Sequence, residues 1–382
     1  MARKARPPDL IMTIDFGGSL TKAIFADASL NENLLLMEPE VISVPYSAIA
    51  AHEETKLGNP DPVDAAWLEV DGQCYAVGYL ARSKFHGNPG LSSLKYERAF
   101  PKTLAAVWVA AQSLELKRKF NVALAILMPS GEYESGKQLH EMLQEGLKNF
   151  ETPTGRVSAN LTHFDCKPEG GGIYMMSRQQ LGSSGGRKTI AVVMVGYRNA
   201  SVLLSERGQV TQRKTSNLGF IKMVEQVEGR ISGLPSTPQL ASAIAASGVK
   251  VESRYLEPLS MSSIQETRTE EVDRLAEVIK SCRDEYALAL RSWLREVLPR
   301  QTNLDLAVLC GGTAEYMRAE LEEHFAYTEV NWNADIQIPD HLYSEELGTR
   351  LCDAYGIYVY FKGVIASALS TASTATALAS SG

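Results

Sequence analysis

Ile11-Met12-Thr13-Ile14-Asp15-Phe16-Gly17-Gly18-Ser19-Leu20-Thr21-Lys22-Ala23-Ile24-Phe25-Ala26 reads as an apolar strand, a tight Gly-Gly-Ser turn and a second apolar strand. One carboxylate stands just before the turn and one lysine just after it. Glycines let such a turn reach positive φ and bring backbone N–H groups close to a ligand. Converging N–H groups form a concavity that binds anions, so the stretch is a candidate phosphate-binding hairpin. The hydroxyls of Ser19 and Thr21 add donors, and Lys22 is placed to reach phosphate. Asp15 would repel phosphate alone, and its presence points to a divalent cation held through water. An ordinary hairpin with glycine in its turn fits the same residues, because short glycine motifs are common by chance.

The rest of the chain bounds what such a hairpin can serve. A length of 382 residues accommodates two domains with full cores. Apolar content of 45% and charged content of 22% are those of a water-soluble globular protein. A formal net charge of −7 argues against a dedicated nucleic-acid or anionic-membrane surface. The five cysteines are scattered and form no CxxC pair, which indicates neither a disulfide framework nor a zinc site and fits a reduced, cytoplasmic setting. Residues 1–8 are basic and precede a strand rather than a secretory apolar core, so they read as a flexible lead-in. No apolar run is long enough to span a membrane. The small, uncharged residues 370–382 read as a mobile tail.

Along the chain, strands and helices alternate as in an α/β domain. Further strands are expected at Asn33–Met37 and Val41–Val44, then an insertion of short strands and turns over about 45–95. A helix is expected over Thr103–Phe120, a buried strand over Asn121–Leu127 and a helix over about 134–150. Residues 157–180 alternate like strands and are broken by Pro168-Glu169-Gly170-Gly171-Gly172. Gly182–Gly186 reads as a linker, so a first domain spans 9–180 and a second 181–345. The second opens as the first does, because Val192–Ser205 can be laid on Thr13–Ala26 with Gly196 over Gly17. Two phosphate-type hairpins, each opening an α/β domain, could close on one nucleotide.

In the second half, a strand over Gln209–Thr215 is followed by a helix to about Ile231. Pro238 reads as a first helical residue, with that helix ending at Gly248. A long helix over about Thr269–Leu298 carries Val272, Leu275, Ile279, Cys282, Tyr286, Ala289 and Trp293 at alternating spacings of three and four, a face that could pair with another chain or form an internal core seam. The strand Leu304–Leu309 runs into Cys310-Gly311-Gly312-Thr313-Ala314, where bare backbone beside a helix start suits a ligand or simply a tight turn.

Taken in order, these motifs resemble the actin-type ATPases, and most closely their ParM-like prokaryotic filament-forming relatives. The resemblance spans about residues 9 to 368. It implies an actin-like (ribonuclease H-like) two-domain α/β fold with a nucleotide cleft between duplicated domains, and ATP (or GTP) with Mg²⁺ as cofactors. Asp15 to Lys22 is similar to the first phosphate motif, supplying Asp15, Gly17, Gly18, Ser19, Thr21 and Lys22. Asp15 would also face the metal through water. Met128-Pro129-Ser130-Gly131-Glu132 resembles the first connecting motif, where relatives carry a glutamate that orients the attacking water, so Glu132 is the implied catalytic residue. Pro168-Glu169-Gly170 is similar to the segment before the second domain. Gly196, Tyr197, Arg198 and Asn199 resemble the second phosphate motif, and Gly311, Gly312 and Thr313 the adenosine motif. Leu347–Phe361, within 346–369, resembles the second connecting helix, returning to the first domain.

One position departs from the pattern. The second phosphate motif normally carries an aspartate two residues before its glycine, and here that residue is Met194. A thioether holds no water of a metal shell, so hydrolysis would be slow, with Arg198 or Asn199 as partial substitutes at the γ-phosphate. The resemblance implies self-association into cytoskeletal filaments with nucleotide-controlled turnover. It suits plasmid DNA segregation through a DNA-binding adaptor, with no direct nucleic-acid or membrane contact. A nucleotide-binding structural protein that does not hydrolyse, and a small-molecule kinase of the same superfamily, are the alternatives. The filament interface is expected in the insertions at about 45–95 and 226–268.

Overall fold

In a computed structural model, the structure describes residues 7–90, 94–235, 237–345 and 347–380, with side chains to residue 370. The chain divides into two units. Residues 1–176 and 336–382 form the first, and residues 177–335 the second.

Unit 1 begins with β1 (Leu10–Phe16), β2 (Thr21–Ala26), β3 (Glu32–Met37) and β4 (Val41–Val44), then α1 (Tyr46–Thr55), β5 (Trp67–Val70), β6 (Gln73–Val77) and α2 (Tyr79–Phe85). It continues through α3 (Lys95–Ser113), β7 (Lys119–Met128), α4 (Gly136–Gly146) and β8 (Ser158–Pro168), and α5 (Gly171–Leu181) begins in unit 1 and ends in unit 2. The main sheet has the order β3-β2-β1-β7-β8, and β4-β6-β5 form a small separate sheet. The first three strands pair antiparallel, whereas β7 is parallel to both β1 and β8.

Period-2 alternation sends alternate residues of β1 and β7 to opposite faces. Leu10, Met12, Ile14 and Phe16, with Val122, Leu124, Ile126 and Met128, join the core formed with α3 and α4. Ile11, Ala123, Ala125 and Leu127 face the other core. Both faces are covered, which is why these strands read as unbroken apolar runs.

Unit 2 contains β9 (Thr189–Val195), β10 (Ala200–Glu206), β11 (Gln209–Ser216), α6 (Phe220–Glu228), α7 (Thr237–Ser247), α8 (Gln265–Val297), β12 (Leu306–Cys310), α9 (Gly312–Tyr316), α10 (Arg318–His324) and β13 (Glu329–Trp332). Its sheet order is β11-β10-β9-β12-β13, again with three antiparallel strands followed by parallel pairs. Strand for strand this repeats unit 1. The chain then returns to unit 1 with α11 (Cys352–Ser380), which lies over the stretch read as a tail.

Several expected elements shift. The segment after Pro168 is helix α5, not strand. Helix α3 starts at Lys95 and contains Pro101, where the sequence reading began it after the proline and carried it to Phe120. A proline inside a helix costs about 3 kcal/mol, and here burial of Phe100, Leu104, Val107 and Trp108 outweighs it. The insertion at 45–95 holds helices α1 and α2 as well as the expected short strands. Helix α7 begins at Thr237, one residue before Pro238. On α8 the seam runs Val272, Leu275, Ile279, Cys282, Tyr286, Leu290, Leu294, and Ala289 is exposed. A straight helix drifts about 20° per heptad from a strict repeat of 3.5, so the buried row steps one residue on after Tyr286.

Candidate nucleotide site

The β1–β2 hairpin sets Asp15 directly opposite Lys22 in the ladder. Cross-strand partners share one face, and here Lys22 Nζ lies 2.6 Å from Asp15 Oδ2. That ammonium also donates to the Arg350 carbonyl at 2.9 Å. Lys22, read as a phosphate ligand, is therefore 7% exposed and engaged with Asp15. Arg350 in turn donates to Ser19 Oγ at 2.9 Å. Burial would raise the Asp15 pKa, but Lys22, Lys95 and Arg350 outweigh it and hold the carboxyl below its usual range.

The turn is built for glycine at one position. A Cβ on Gly17 would stand 2.5 Å from the Leu20 carbonyl oxygen. Among the described residues none accepts the Gly18 or Ser19 N–H, and the buried Thr21 Oγ1 has no partner. Such donors fit a phosphate. Among the described residues no three carboxylate, imidazole or thiol groups converge as a ligand set. Asp15, whose pKa is held low by its cations, is the carboxylate here that could hold Mg²⁺ through water, an ion that keeps much of its own hydration.

Four residues that carried no site role in the sequence reading close around this hairpin. Lys95 ion-pairs with Glu169 and lies 3.9 Å from Asp15 Oδ1. Its backbone N–H donates to Glu132 Oε2. Glu132, in a short 3₁₀ turn over Ser130–Ser135, thus places its carboxylate at the N-terminus of α3, where the helix dipole favours negative charge. Arg350 is the third, through Ser19. Asp353 is the fourth and accepts from the N–H groups of Gly170 at 2.7 Å, Gly172 at 2.8 Å and Ile173 at 3.2 Å. Sequence separations of 37 residues or more hide such contacts from any local pattern.

Burial pushes the Asp353 carboxyl up to about 7, against the pull of the Gly170 and Ile173 N–H groups, with Asp15 and Glu169 adding repulsion. A carboxyl whose folded pKa is raised binds more protons in the folded state than in the unfolded one. Its stabilising contribution is full below the unfolded value near 3.8 and is lost as pH rises through 7. Urea midpoints of the wild type and Asp353→Asn, measured from about pH 4 to about pH 7.5, should therefore shift relative to one another. The wild type is expected to lose about 3 kcal/mol against the variant across that range. A constant difference would contradict the assignment.

In unit 2 the corresponding hairpin joins β9 to β10, with Met194 opposite Ser201. Met194 thus occupies in β9 the place of Asp15 in β1, and Ser201 that of Lys22. Three glycine turns meet here. Gly196 N–H donates to the Asn199 carbonyl at 2.9 Å, closing the turn that carries Tyr197 and Arg198. A Cβ on Gly219 would collide with the backbone of Tyr197 and Arg198, and one on Gly311, at φ +99°, with Val195. Thr313 Oγ1 donates to the Gly196 carbonyl at 2.9 Å and ties the two sequence motifs together. Gly312 opens α9. The Cβ clash at Gly219 places it in this cluster.

No family model and no curated protein matches the chain. Solved structures do. The actin-like protein Alp7A is 14% identical with a TM-score of 0.66, covering 96% of this chain and 99% of that one. A 15-stranded ParM filament from Clostridium botulinum is 14% identical with a TM-score of 0.60, covering 93% and 99%. Ta0583, an archaeal actin homologue in complex with ADP, is 14% identical with a TM-score of 0.57, covering 92% and 99%. Two units with one repeated sheet order, matched along nearly their whole length by these proteins, give the chain the actin-like fold of ParM and its relatives.

Proposed function

We propose that this protein is an ATPase of the actin-like type that binds ATP (or GTP) with Mg²⁺ and assembles into cytoplasmic filaments whose turnover follows nucleotide state. The observation that carries the reading is the repeat of one hairpin in both units, each with a glycine turn whose backbone is closely packed or free to donate. In this reading Gly17, Gly18, Ser19 and Thr21, with Gly196, Tyr197, Arg198 and Asn199, face phosphate. Asp15 holds the metal's water, and Lys22 orients Asp15. Gly311, Gly312 and Thr313 take the adenosine, and Glu132 orients the attacking water. Solved filaments among the structural neighbours support self-association. Plasmid DNA segregation through a DNA-binding adaptor is the cellular role that suits it.

Bound Mg²⁺ would supply charge neutralisation at the transferring phosphoryl group. Met194 supplies none, which favours slow turnover or, as the second reading, a nucleotide-bound structural protein. Phosphate release in buffer without an acceptor tests this directly. The wild type is expected to release phosphate slowly and only with Mg²⁺, and Met194→Asp to release it about tenfold faster. Release by neither protein would reject hydrolysis and leave the structural reading. A requirement for an added acceptor would point to a kinase instead.

A further inference from the structure

We propose, resting on the nucleotide-binding reading above, that Lys95 is a positioning residue that sets where the carboxylates of Glu132 and Glu169 stand beside Asp15. It begins α3 and is 9% exposed. Its backbone N–H holds Glu132. Its ammonium pairs with Glu169 and stands 3.9 Å from Asp15 Oδ1. One residue thereby joins the end of β1, the 3₁₀ turn after β7 and the corner after β8.

A lysine suits this place. Its compact ammonium carries three donors and can serve two carboxylates at once, where a planar guanidinium would favour one in a bidentate fork. The two lysines approach Asp15 at different oxygens, Lys22 at Oδ2 and Lys95 at Oδ1. Lys22 is at pairing distance and anchored by the Arg350 carbonyl, so Asp15 stays oriented whatever Lys95 does. The longer contact leaves Oδ1 the more accessible oxygen for a metal's water. Lys95 then keeps Glu169 neutralised beside it. Without that ammonium, Asp15 and Glu169 would add their charges to those of the incoming phosphates.

The side chain and the N–H can be separated. Lys95→Met removes the ammonium and leaves the Glu132 contact and the helix start in place. A fluorescent ATP analogue is titrated against the full chain in EDTA and again across a Mg²⁺ series. Lys95→Met is expected to weaken metal-free binding about tenfold or more, with saturating Mg²⁺ restoring most of the loss and Lys95→Arg restoring part. Glu169→Gln, which removes the competing carboxylate, is expected to shift metal-free affinity the other way and gives a result even if Lys95→Met fails to fold. Metal-free affinities unchanged in both variants, or a loss in Lys95→Met that Mg²⁺ does not relieve, overturn the proposal. A wild type that binds no nucleotide overturns the functional reading and this inference with it, whereas unchanged variants of a binding wild type overturn this inference alone.

Discussion

Asp15→Asn is expected to weaken binding of Mg²⁺-nucleotide about 100-fold, equivalent to about 2.7 kcal/mol, while weakening metal-free binding far less. The substitution keeps the side chain's shape and an oxygen for Lys22, whose Nζ sits 2.6 Å from the carboxylate. What it removes is the negative charge that draws the metal. Asp15→Ala is the harsher change, because it strips two buried cations of a partner, and breaking a buried pair typically costs about 3–5 kcal/mol. The measurement is nucleotide titration with and without Mg²⁺ beside a urea melt of each variant. Equal affinity of Asp15→Asn and wild type in Mg²⁺ would show that the metal is held elsewhere.

Substituting Gly172 or Gly356 is expected to have the largest effect on stability. Helix α5 and the returning α11 touch through these two glycines. A Cβ on Gly356 would stand 2.8 Å from the carbonyl carbon and oxygen of Gly172. One on Gly172 would stand 2.8 Å from the Ile357 nitrogen and meet the Asp353 carbonyl oxygen more closely still. These are backbone atoms, which cannot swing aside as a side chain does, and the same crossing presents three N–H groups to Asp353. Gly356→Ala should cost about 3 kcal/mol, and Gly172→Val about 4 kcal/mol or more. Gly363 lies on the same helix with nothing within 4 Å of its added Cβ. There alanine should instead stabilise by about 0.5–1 kcal/mol. Thermal melts of the three variants test the sign as well as the size, and a stabilising Gly356→Ala would refute the packing argument.

How much of this was readable in advance depends on how local the physics is. The two hairpins were legible because strand, glycine turn and strand are written in consecutive residues, and Val192–Ser205 repeats Thr13–Ala26 in register. Helix α5 was not. Gly170-Gly171-Gly172 has poor helix propensity, and glycine at 172 is required by the close backbone approach of α11, far away in sequence. Pro101 misled for the same reason, since a packed core overrides a local penalty. In the candidate site, Asp15 and the glycines could be named from their motif. Lys95, Glu169, Arg350 and Asp353 could not be given roles, because each meets its partner across the sheet or from the returning chain. Met194 stands, by the β9–β10 register, at the position Asp15 holds in the first hairpin.

Nucleotide-controlled assembly is the central claim, and negative-stain imaging of the purified chain tests it most directly. Samples with ATP, with ADP and with a non-hydrolysable analogue, each with Mg²⁺, should differ. Filaments are expected with ATP and the analogue, and few or none with ADP. Particles that remain single in all three, over a wide range of protein and salt concentration, would contradict it.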